Sequence, residues 1–322
     1  MQFKNLGKTG VKVSELCFGT MSFGGDADEE MSGKMYQRCR EAGINFFDCA
    51  NVYAGGRSEE ILGKLIANER EQVIITSKVY FPTGEDPNAR GASRRNIQLA
   101  VEKSLKRLNT EWIDVYFIHH YDEDTPLEET LRALDDLVRQ GKILYPAVSN
   151  FSAWQTMKAL GISQYEGLAR FEVLQPMYNL VKRQAEVELL PLAQAEGMAV
   201  IPYSPLGGGL LTGKYASERK PEQGRLLNNK MYEVRYGDEW MYAAAADFAG
   251  YARSQGYAPA SLAVAWVAHH PAVTAPIIGA RNLQQLEESL CAVELEMTDE
   301  LYEQLSALTP KPAVATDRTE ER

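Results

Sequence analysis

Four polar side chains in this sequence have the types and positions needed to reduce a carbonyl group. Asp48, Lys78 and His119 each follow a short, mainly apolar run typical of a β-strand, and Tyr53 comes five residues after Asp48. A phenol is a weak acid at neutral pH unless a nearby cation stabilises its anion. Lys78 can supply that cation, and Asp48 can hold it charged and oriented. We therefore expect a lowered phenol pKa and proton donation from Tyr53 to a developing alkoxide, with His119 completing the oxygen pocket.

The elements that must position these residues alternate along the chain. Eight units of a β-like run followed by a helical pattern predict an α/β fold, a (β/α)8 TIM barrel, rather than a doubly wound sheet. We also predict an N-terminal β-hairpin over residues 2–13 and an extra C-terminal helix over residues 298–308. Because the ends of parallel barrel strands converge on one mouth, the four side chains should share a pocket.

The pattern gives provisional boundaries for the strands, helices and domains. Strands are predicted at 16–19, 44–47, 73–77, 113–118, 147–149, 171–174, 199–202 and 273–277, and helices at 31–42, 57–67, 93–108, 126–140, 152–160 and 184–196. Residues 207–240 fit neither pattern and predict a long functional loop. Glu59 and Glu60 are expected to begin a solvated helix face. One barrel domain should occupy residues 1–309, and the polar tail 310–322 is expected to be disordered.

Composition narrows the class of partner. The net charge of −10 and pI near 5.1, with no basic block, argue against binding to nucleic acid or anionic membranes. The N-terminus lacks the apolar core of a signal peptide, and no uncharged apolar stretch reaches the roughly 18 residues of a membrane span. We therefore expect a cytoplasmic protein that acts on small molecules. No cluster of histidine, cysteine and carboxylate residues has metal-ligand spacing, and no protein partner is indicated.

Five motifs, in order and over nearly the whole chain, resemble the aldo-keto reductase superfamily. They are DCANVY at 48–53, GRSEE at 56–60, IH at 118–119, VSNF at 148–151 and YSPLG at 203–207. QPMYNL at 175–180 and GLLTGKY at 209–215 narrow the resemblance to the branch of bacterial general aldo-keto reductases and potassium-channel β subunits. The resemblance implies an NADPH-dependent enzyme that reduces aldehydes and ketones to alcohols, with Asp48, Tyr53, Lys78 and His119 catalytic.

The cofactor prediction starts from motifs that are missing. No G-x-G-x-x-G follows an early strand, and the G-x-x-x-x-G-K at 208–214 continues with Tyr215 where a P-loop needs Ser or Thr. Barrels often hold phosphate in the loops after strands seven and eight. By resemblance, NADP(H) would lie across those loops, with Tyr203 stacked on the nicotinamide. The other residues implied to bind it are Gly19, Thr20, Met21, Asp48, Ser149, Asn150, Gln175, Ser204, Pro205, Leu206, Gly209, Gly213, Lys214, Gly279, Arg281, Gln285 and Glu288.

Two points leave the cofactor and the role open. Arg281 is the candidate for the adenosine 2′-phosphate, because a guanidinium pairs bidentately with phosphate oxygens. Residues 279, 280, 285 and 289 depart from the better-known reductases, so NAD(H) is possible as well. The alternatives are a nicotinamide-cofactor-sensing subunit with slow turnover and an NAD(P)-dependent sugar or polyol dehydrogenase. An aromatic substrate surround is predicted from Phe23, Tyr80, Phe81, His120 and Tyr178.

Overall fold

A computed structural model describes residues 1–215, 224–316, 318 and 320. A two-stranded antiparallel hairpin comes first, and eight parallel strands follow it. The hairpin consists of β1 (Phe3–Asn5) and β2 (Lys12–Ser14). The parallel strands are β3 (Cys17–Gly19), β4 (Phe46–Asp48), β5 (Ile74–Val79), β6 (Ile113–Ile118), β7 (Ile143–Ser149), β8 (Val173–Gln175), β9 (Ala199–Val200) and β10 (Ile277–Ile278).

The eight parallel strands curl into a barrel. Their order is β10, β3, β4, β5, β6, β7, β8 and β9, so each strand from β3 to β9 lies beside the next one along the chain. Backbone hydrogen bonds bring the two ends of the sheet together. The Thr274 nitrogen donates to the Val200 oxygen at 2.8 Å, and the Ile277 nitrogen donates to the Pro202 oxygen at 2.9 Å. The predicted (β/α)8 barrel with an N-terminal hairpin is confirmed.

Helices surround the barrel in the described part of the chain. They are α1 (Glu29–Glu41), α2 (Arg57–Ile66), α3 (Arg94–Leu108), α4 (Leu127–Arg139), α5 (Ala153–Glu166), α6 (Leu189–Glu196), α7 (Arg225–Asn228), α8 (Lys230–Tyr236), α9 (Glu239–Ser254), α10 (Pro259–His269), α11 (Leu283–Leu290) and α12 (Asp299–Ser306). The side chain of Thr298 caps α12, so the predicted C-terminal helix is present and begins where the sequence indicated.

The prediction of one long loop at 207–240 was wrong for much of its length. Residues Gly207–Thr212 form a short 3-10 segment, and α7 and α8 follow within the described residues 224–236. Residues 216–223 lie outside the described part. Tyr232 and Tyr236 of α8 are buried, which explains the helix: tertiary contacts of these two aromatic residues stabilise a segment whose Gly, Lys, Arg and Asn content indicates a loop.

Apolar side chains fill the barrel interior, and the hairpin closes its lower end. Val115, Phe117, Val173 and other strand residues form one buried cluster, which Leu6 and Val13 join from the hairpin. Polar side chains occupy the upper end of the barrel, where the parallel strands end. No helix in the described ranges is long and apolar enough to cross a membrane.

The hairpin acts as a plug, because its buried side chains close the lower end of the barrel, and this gives a stability prediction. Leu6 is 0% exposed within the interior cluster, whereas Phe3 in the same hairpin is 53% exposed. Leu6→Ala leaves a cavity, so we expect it to lower the free energy of unfolding by about 2–4 kcal/mol. Phe3→Ala should change it by less than about 1 kcal/mol. Urea unfolding followed by circular dichroism measures both. Equal effects would contradict a plug formed by Leu6.

Candidate active site

The two-residue period of each strand explains why the candidate side chains meet. Neighbouring strand residues point to opposite faces, so residues two apart share a face. Phe46, Phe117, Ala147, Val173 and Ile201 all belong to the interior cluster. The residue two positions after each lies one step nearer the mouth and faces inward as well. These five residues are Asp48, His119, Ser149, Gln175 and Tyr203.

A buried ion pair lies at the centre of the mouth. The Lys78 Nζ atom is 2.8 and 2.7 Å from the two carboxylate oxygens of Asp48, and it also donates to the Cys49 carbonyl oxygen at 2.8 Å. The side chains of Lys78 and Asp48 are 0% and 4% exposed. Thr76 and Gln175 each donate to the Asp48 Oδ1 atom, at 2.8 and 2.9 Å. Both charges are therefore paired and hydrogen-bonded, as burial requires.

Tyr53 lies beside this pair. It begins a short turn, Tyr53–Gly56, in which Ala54, Gly55 and Gly56 all have positive φ angles. That left-handed backbone is accessible to glycine and uncommon for alanine. The turn brings the Tyr53 hydroxyl to 3.4 Å from the Lys78 Nζ atom. The phenol therefore lies within hydrogen-bond distance of the buried cation.

The pKa of Tyr53 differs from our expectation that it would be lowered. Burial raises the pKa of Tyr53 to about 12, because the phenolate loses solvation, and the opposing pull of the Lys78 ammonium is smaller. For Lys78, burial is the largest single effect and would lower the pKa, but attraction to Asp48 and Tyr53 and the hydrogen bond to Asp48 together raise it. The expectation was wrong in sign because desolvation cannot be read from the sequence. The phenol is held protonated and the lysine charged.

His119 closes the other side of the pocket. Its ring centroid lies 6.1 Å from that of Tyr53, edge to face. Burial, followed by the charges of Lys78 and His120, holds the pKa of His119 well below its usual range, so the ring is neutral at pH 7. Within the described residues, its buried Nδ1 atom has no hydrogen-bond partner. A buried polar atom without a partner needs an explanation, and at the mouth of the barrel a hydrogen bond to a ligand would provide one.

Aromatic rings form a wall beside His119. Phe81 lies 4.9 Å from the His119 ring, and Tyr80 lies 5.3 Å from Phe81. His120 also belongs to this wall: its ring centroid lies 5.2 Å from that of Tyr80 and 6.4 Å from that of Phe81, and its Nδ1 atom is 2.8 Å from the Tyr121 carbonyl oxygen.

Two residues predicted for this wall are elsewhere. Phe23 and Tyr178 are both 0% exposed in the helix-packed core, where Tyr178 contacts Trp266. Trp266 is a helix residue far from Tyr178 in the sequence, whereas Phe23 packs against Phe18 of β3.

A hydrogen-bonded group of residues, Ser149, Asn150, Gln175 and Tyr203, lies next to the ion pair. The Tyr203 hydroxyl donates to the Asn150 Oδ1 atom at 2.8 Å, and the Asn150 Nδ2 atom donates to the His119 carbonyl oxygen at 2.9 Å. The Ser149 hydroxyl donates to the Gln175 carbonyl oxygen at 2.9 Å. Asn150 and Ser204 both have positive φ angles, of 57° and 60°. Strained backbone at such positions is typical of functional sites.

The backbone of the glycine-rich segment that follows Ser204 is left-handed at four glycines. Gly207, Gly208, Gly209 and Gly213 all have positive φ angles, while Pro205 and Leu206 before them are buried and half-buried. A Cβ atom at Gly209 would lie 3.0 Å from the Lys214 Nζ atom, so this lysine folds back over the glycine turn. A Cβ atom at Gly213 would lie 2.5 Å from the Arg253 guanidinium. Arg253 was not predicted, because no pattern in the sequence of α9 indicates a contact with this glycine-rich loop.

The remaining predicted residues lie where β3 and β10 end. The Thr20 nitrogen donates to the Asp48 carbonyl oxygen at 2.8 Å, directly after Gly19, and Met21 is exposed. In the adjacent loop after β10, Gly279 is exposed and the Arg281 nitrogen donates to the Gln285 Oε1 atom at 3.1 Å. Glu288 is exposed on α11. These residues form a second group, attached to neighbouring strands β3 and β10.

Glu59 was predicted to lie on a solvated helix face, and that was wrong. Its side chain is 0% exposed; it pairs with Arg107 at 2.6 Å and accepts a hydrogen bond from Ser77 at 2.5 Å. Ser77 points outward from the barrel, between the inward residues Thr76 and Lys78. The carboxylate thus joins α2, α3 and β5 directly behind the Tyr53 turn. Glu60 is exposed, in agreement with the prediction.

Known proteins resemble this chain over nearly its whole length. The model of the Aldo/keto reductase family matches residues 15–310. The chain is 36% identical to the uncharacterised oxidoreductase YrpG of Bacillus subtilis, over 98% of each chain. It is 38% identical, over 92% of each, to a probable voltage-gated potassium channel subunit beta of Arabidopsis thaliana. A putative aryl-alcohol dehydrogenase of Schizosaccharomyces pombe is 34% identical over 92% of each chain.

The two adjacent glutamates provide a matched pair of variants. Glu59→Gln removes the charge that neutralises half-buried Arg107, so we expect a loss of about 3 kcal/mol in the free energy of unfolding. Glu60→Gln removes an exposed charge one residue away and should change it by less than about 0.5 kcal/mol. Urea unfolding measures the difference. Similar free energies of unfolding for the two variants would show that the Glu59–Arg107 ion pair does not stabilise the fold.

Proposed function

This chain belongs to the aldo/keto reductase family and is an oxidoreductase, and from that premise we propose that it reduces aldehydes and ketones to alcohols with NADPH. The observation that carries the proposal is the Tyr53 hydroxyl, 3.4 Å from a buried lysine at the mouth of the barrel. A protonated phenol placed there can donate a proton, and it has no need of a metal. Across residues 1–215 and 224–316, no group of His, Cys, Asp and Glu side chains could hold a metal ion.

The proposed reaction balances as a hydride and a proton. NADPH, when bound, supplies a hydride to the carbonyl carbon. The Tyr53 hydroxyl gives its proton to the carbonyl oxygen, so the C=O bond becomes an alcohol and Tyr53 becomes a phenolate. The Lys78 ammonium beside it stabilises that anion until solvent returns a proton. Asp48 keeps the ammonium charged throughout.

His119 has a different part in this proposal. A neutral imidazole carries one N–H group, which can donate a hydrogen bond to the carbonyl oxygen without transferring its proton. The depressed pKa of His119 makes the imidazolium form scarce near pH 7. We therefore assign proton donation to Tyr53, and orientation of the substrate oxygen to His119.

The described residues fit a nicotinamide cofactor. The Asn150–Tyr203 pair presents an amide and a phenol ring beside the Lys78–Asp48 ion pair. The glycines at 207–209 have left-handed backbone and no side chains, so a pyrophosphate could approach the backbone closely there. Ser149, Asn150 and Gln175 would hold the carboxamide, and Lys214 and Arg281 would bind phosphate groups. These assignments favour NADP(H), with NAD(H) as a possible second cofactor.

Aromatic carbonyl compounds are the proposed substrate class. His119, Phe81, Tyr80 and Tyr53 surround the reacting position with ring faces and edges, which bind flat apolar molecules well. The resemblance to an aryl-alcohol dehydrogenase of fission yeast supports the same class.

A second candidate function is a cofactor-sensing subunit with slow turnover. The observation that favours it is the 38% identity to a probable voltage-gated potassium channel subunit beta. The rate of cofactor release separates the two. Release within milliseconds to seconds suits a metabolic reductase, and release over many minutes suits a sensor.

Removal of one hydroxyl tests the proposed acid. We expect Tyr53→Phe to reduce the rate of NADPH oxidation with 4-nitrobenzaldehyde by roughly 10²-fold or more, because the proton donor is lost. Isothermal titration should show that NADPH binding is retained. Tyr80→Phe, which removes a phenol from the same mouth, is the matched control and should keep most of the activity.

The other outcomes are equally informative. Equal rates in the wild type and Tyr53→Phe would overturn the proposed acid. No turnover in either protein, together with tight binding and slow release of NADPH, would favour the sensing subunit.

A further inference from the structure

An ion pair joins the loops that follow β3 and β10. The Arg281 Nε atom lies 3.3 Å from the Asp26 Oδ2 atom, and the side chains are 31% and 52% exposed. A second link lies beneath it, where the Ser22 hydroxyl donates to the Ala280 carbonyl oxygen at 2.7 Å. Because the Ser22 link is buried and direct, it fixes the two loops together and keeps Asp26 within reach of Arg281.

The contact between Asp26 and Arg281 is loose. A guanidinium that holds a carboxylate firmly makes two parallel hydrogen bonds, as Arg38 does with Glu287 at 2.6 and 3.0 Å on α1 and α11 nearby. In contrast, Arg281 and Asp26 meet through a single longer approach. The Arg281 backbone is fixed by its bond to Gln285, so the guanidinium is presented at the mouth and only weakly engaged.

We propose that Asp26 determines cofactor preference, by competing with the adenosine 2′-phosphate of NADPH for Arg281. The inference rests on the proposed function, since it takes Arg281 as the residue that meets this phosphate. A phosphate that binds Arg281 must displace the carboxylate or lie beside it. In both cases Asp26 withholds part of the guanidinium's charge and hydrogen bonds from the phosphate, so its effect acts through Arg281.

NADH does not meet this competition. Its ribose carries a neutral 2′-hydroxyl, and a carboxylate can accept a hydrogen bond from that group. Asp26 therefore weakens NADPH binding while leaving NADH binding unchanged or slightly stronger. The expected size is modest, because both side chains are partly exposed and salt screens their charges.

Equilibrium binding tests the inference without any turnover. Isothermal titration gives the Kd of NADPH and of NADH for the wild type and Asp26→Asn, at low salt and at about 0.5 M salt. Asp124→Asn is the matched control, because Asp124 is an exposed carboxylate at the same mouth, after β6. Arg281→Met, alone and combined with Asp26→Asn, shows whether the effect acts through Arg281.

We expect Asp26→Asn to lower the Kd of NADPH about three- to tenfold at low salt, and to lower it less at high salt. The Kd of NADH should stay the same or rise. Asp124→Asn should change neither, and Arg281→Met should abolish the benefit of Asp26→Asn.

Three results would overturn the inference while the proposed function stands. These are an equal shift of both cofactors in Asp26→Asn, an equal effect of Asp124→Asn, and a persisting benefit in the Arg281→Met background. Failure of the wild type to bind either cofactor is a distinct result, which would overturn the proposed function and this inference with it.

Discussion

The buried ion pair between Lys78 and Asp48 is the interaction on which the rest of the mouth depends. Two charges without solvent are tolerated only when each is paired and hydrogen-bonded, and removal of one partner from such a pair costs about 3–5 kcal/mol. Thr76, Gln175 and the Cys49 carbonyl oxygen meet this demand. In doing so they tie β4, β5 and β8 together at the one place where the apolar barrel interior ends. The structural requirement and the chemistry therefore rest on the same atoms.

Burial also determines which group can act as an acid. Desolvation keeps the phenol of Tyr53 protonated and the imidazole of His119 neutral, because it disfavours every charged form in the pocket. For Lys78, attraction to Asp48 and Tyr53 offsets this cost. A protonated phenol next to a fixed cation is stable before the reaction and can release its proton as negative charge develops on the substrate oxygen. The pocket keeps two neutral donors ready, and only one of them lies next to Lys78.

Local pattern was sufficient to predict the barrel, the hairpin and the convergence of Asp48, Lys78 and His119 at one mouth, because strand period and strand order place these three residues. Other features depend on contacts between distant segments. Glu59 and Glu60 are both glutamates in the first turn of one helix, yet Arg107 and Ser77 bury only Glu59. Arg253 reaches Gly213 from α9, and Asp26 meets Arg281 between the loops that follow β3 and β10. The helix at Lys230–Tyr236 owes its stability to two buried tyrosines rather than to helix propensity.

In the proposed reaction Tyr53, and not His119, gives up the proton. The pH dependence of the single-turnover rate of carbonyl reduction distinguishes these two donors in the unmodified protein. A phenol with a pKa of about 12 stays protonated across the neutral range, so the account predicts a rate that varies by less than about twofold between pH 6 and 9. A rate that falls steadily, by about tenfold per pH unit across this range, would contradict it, because an imidazolium whose pKa lies well below its usual range would then be the acid.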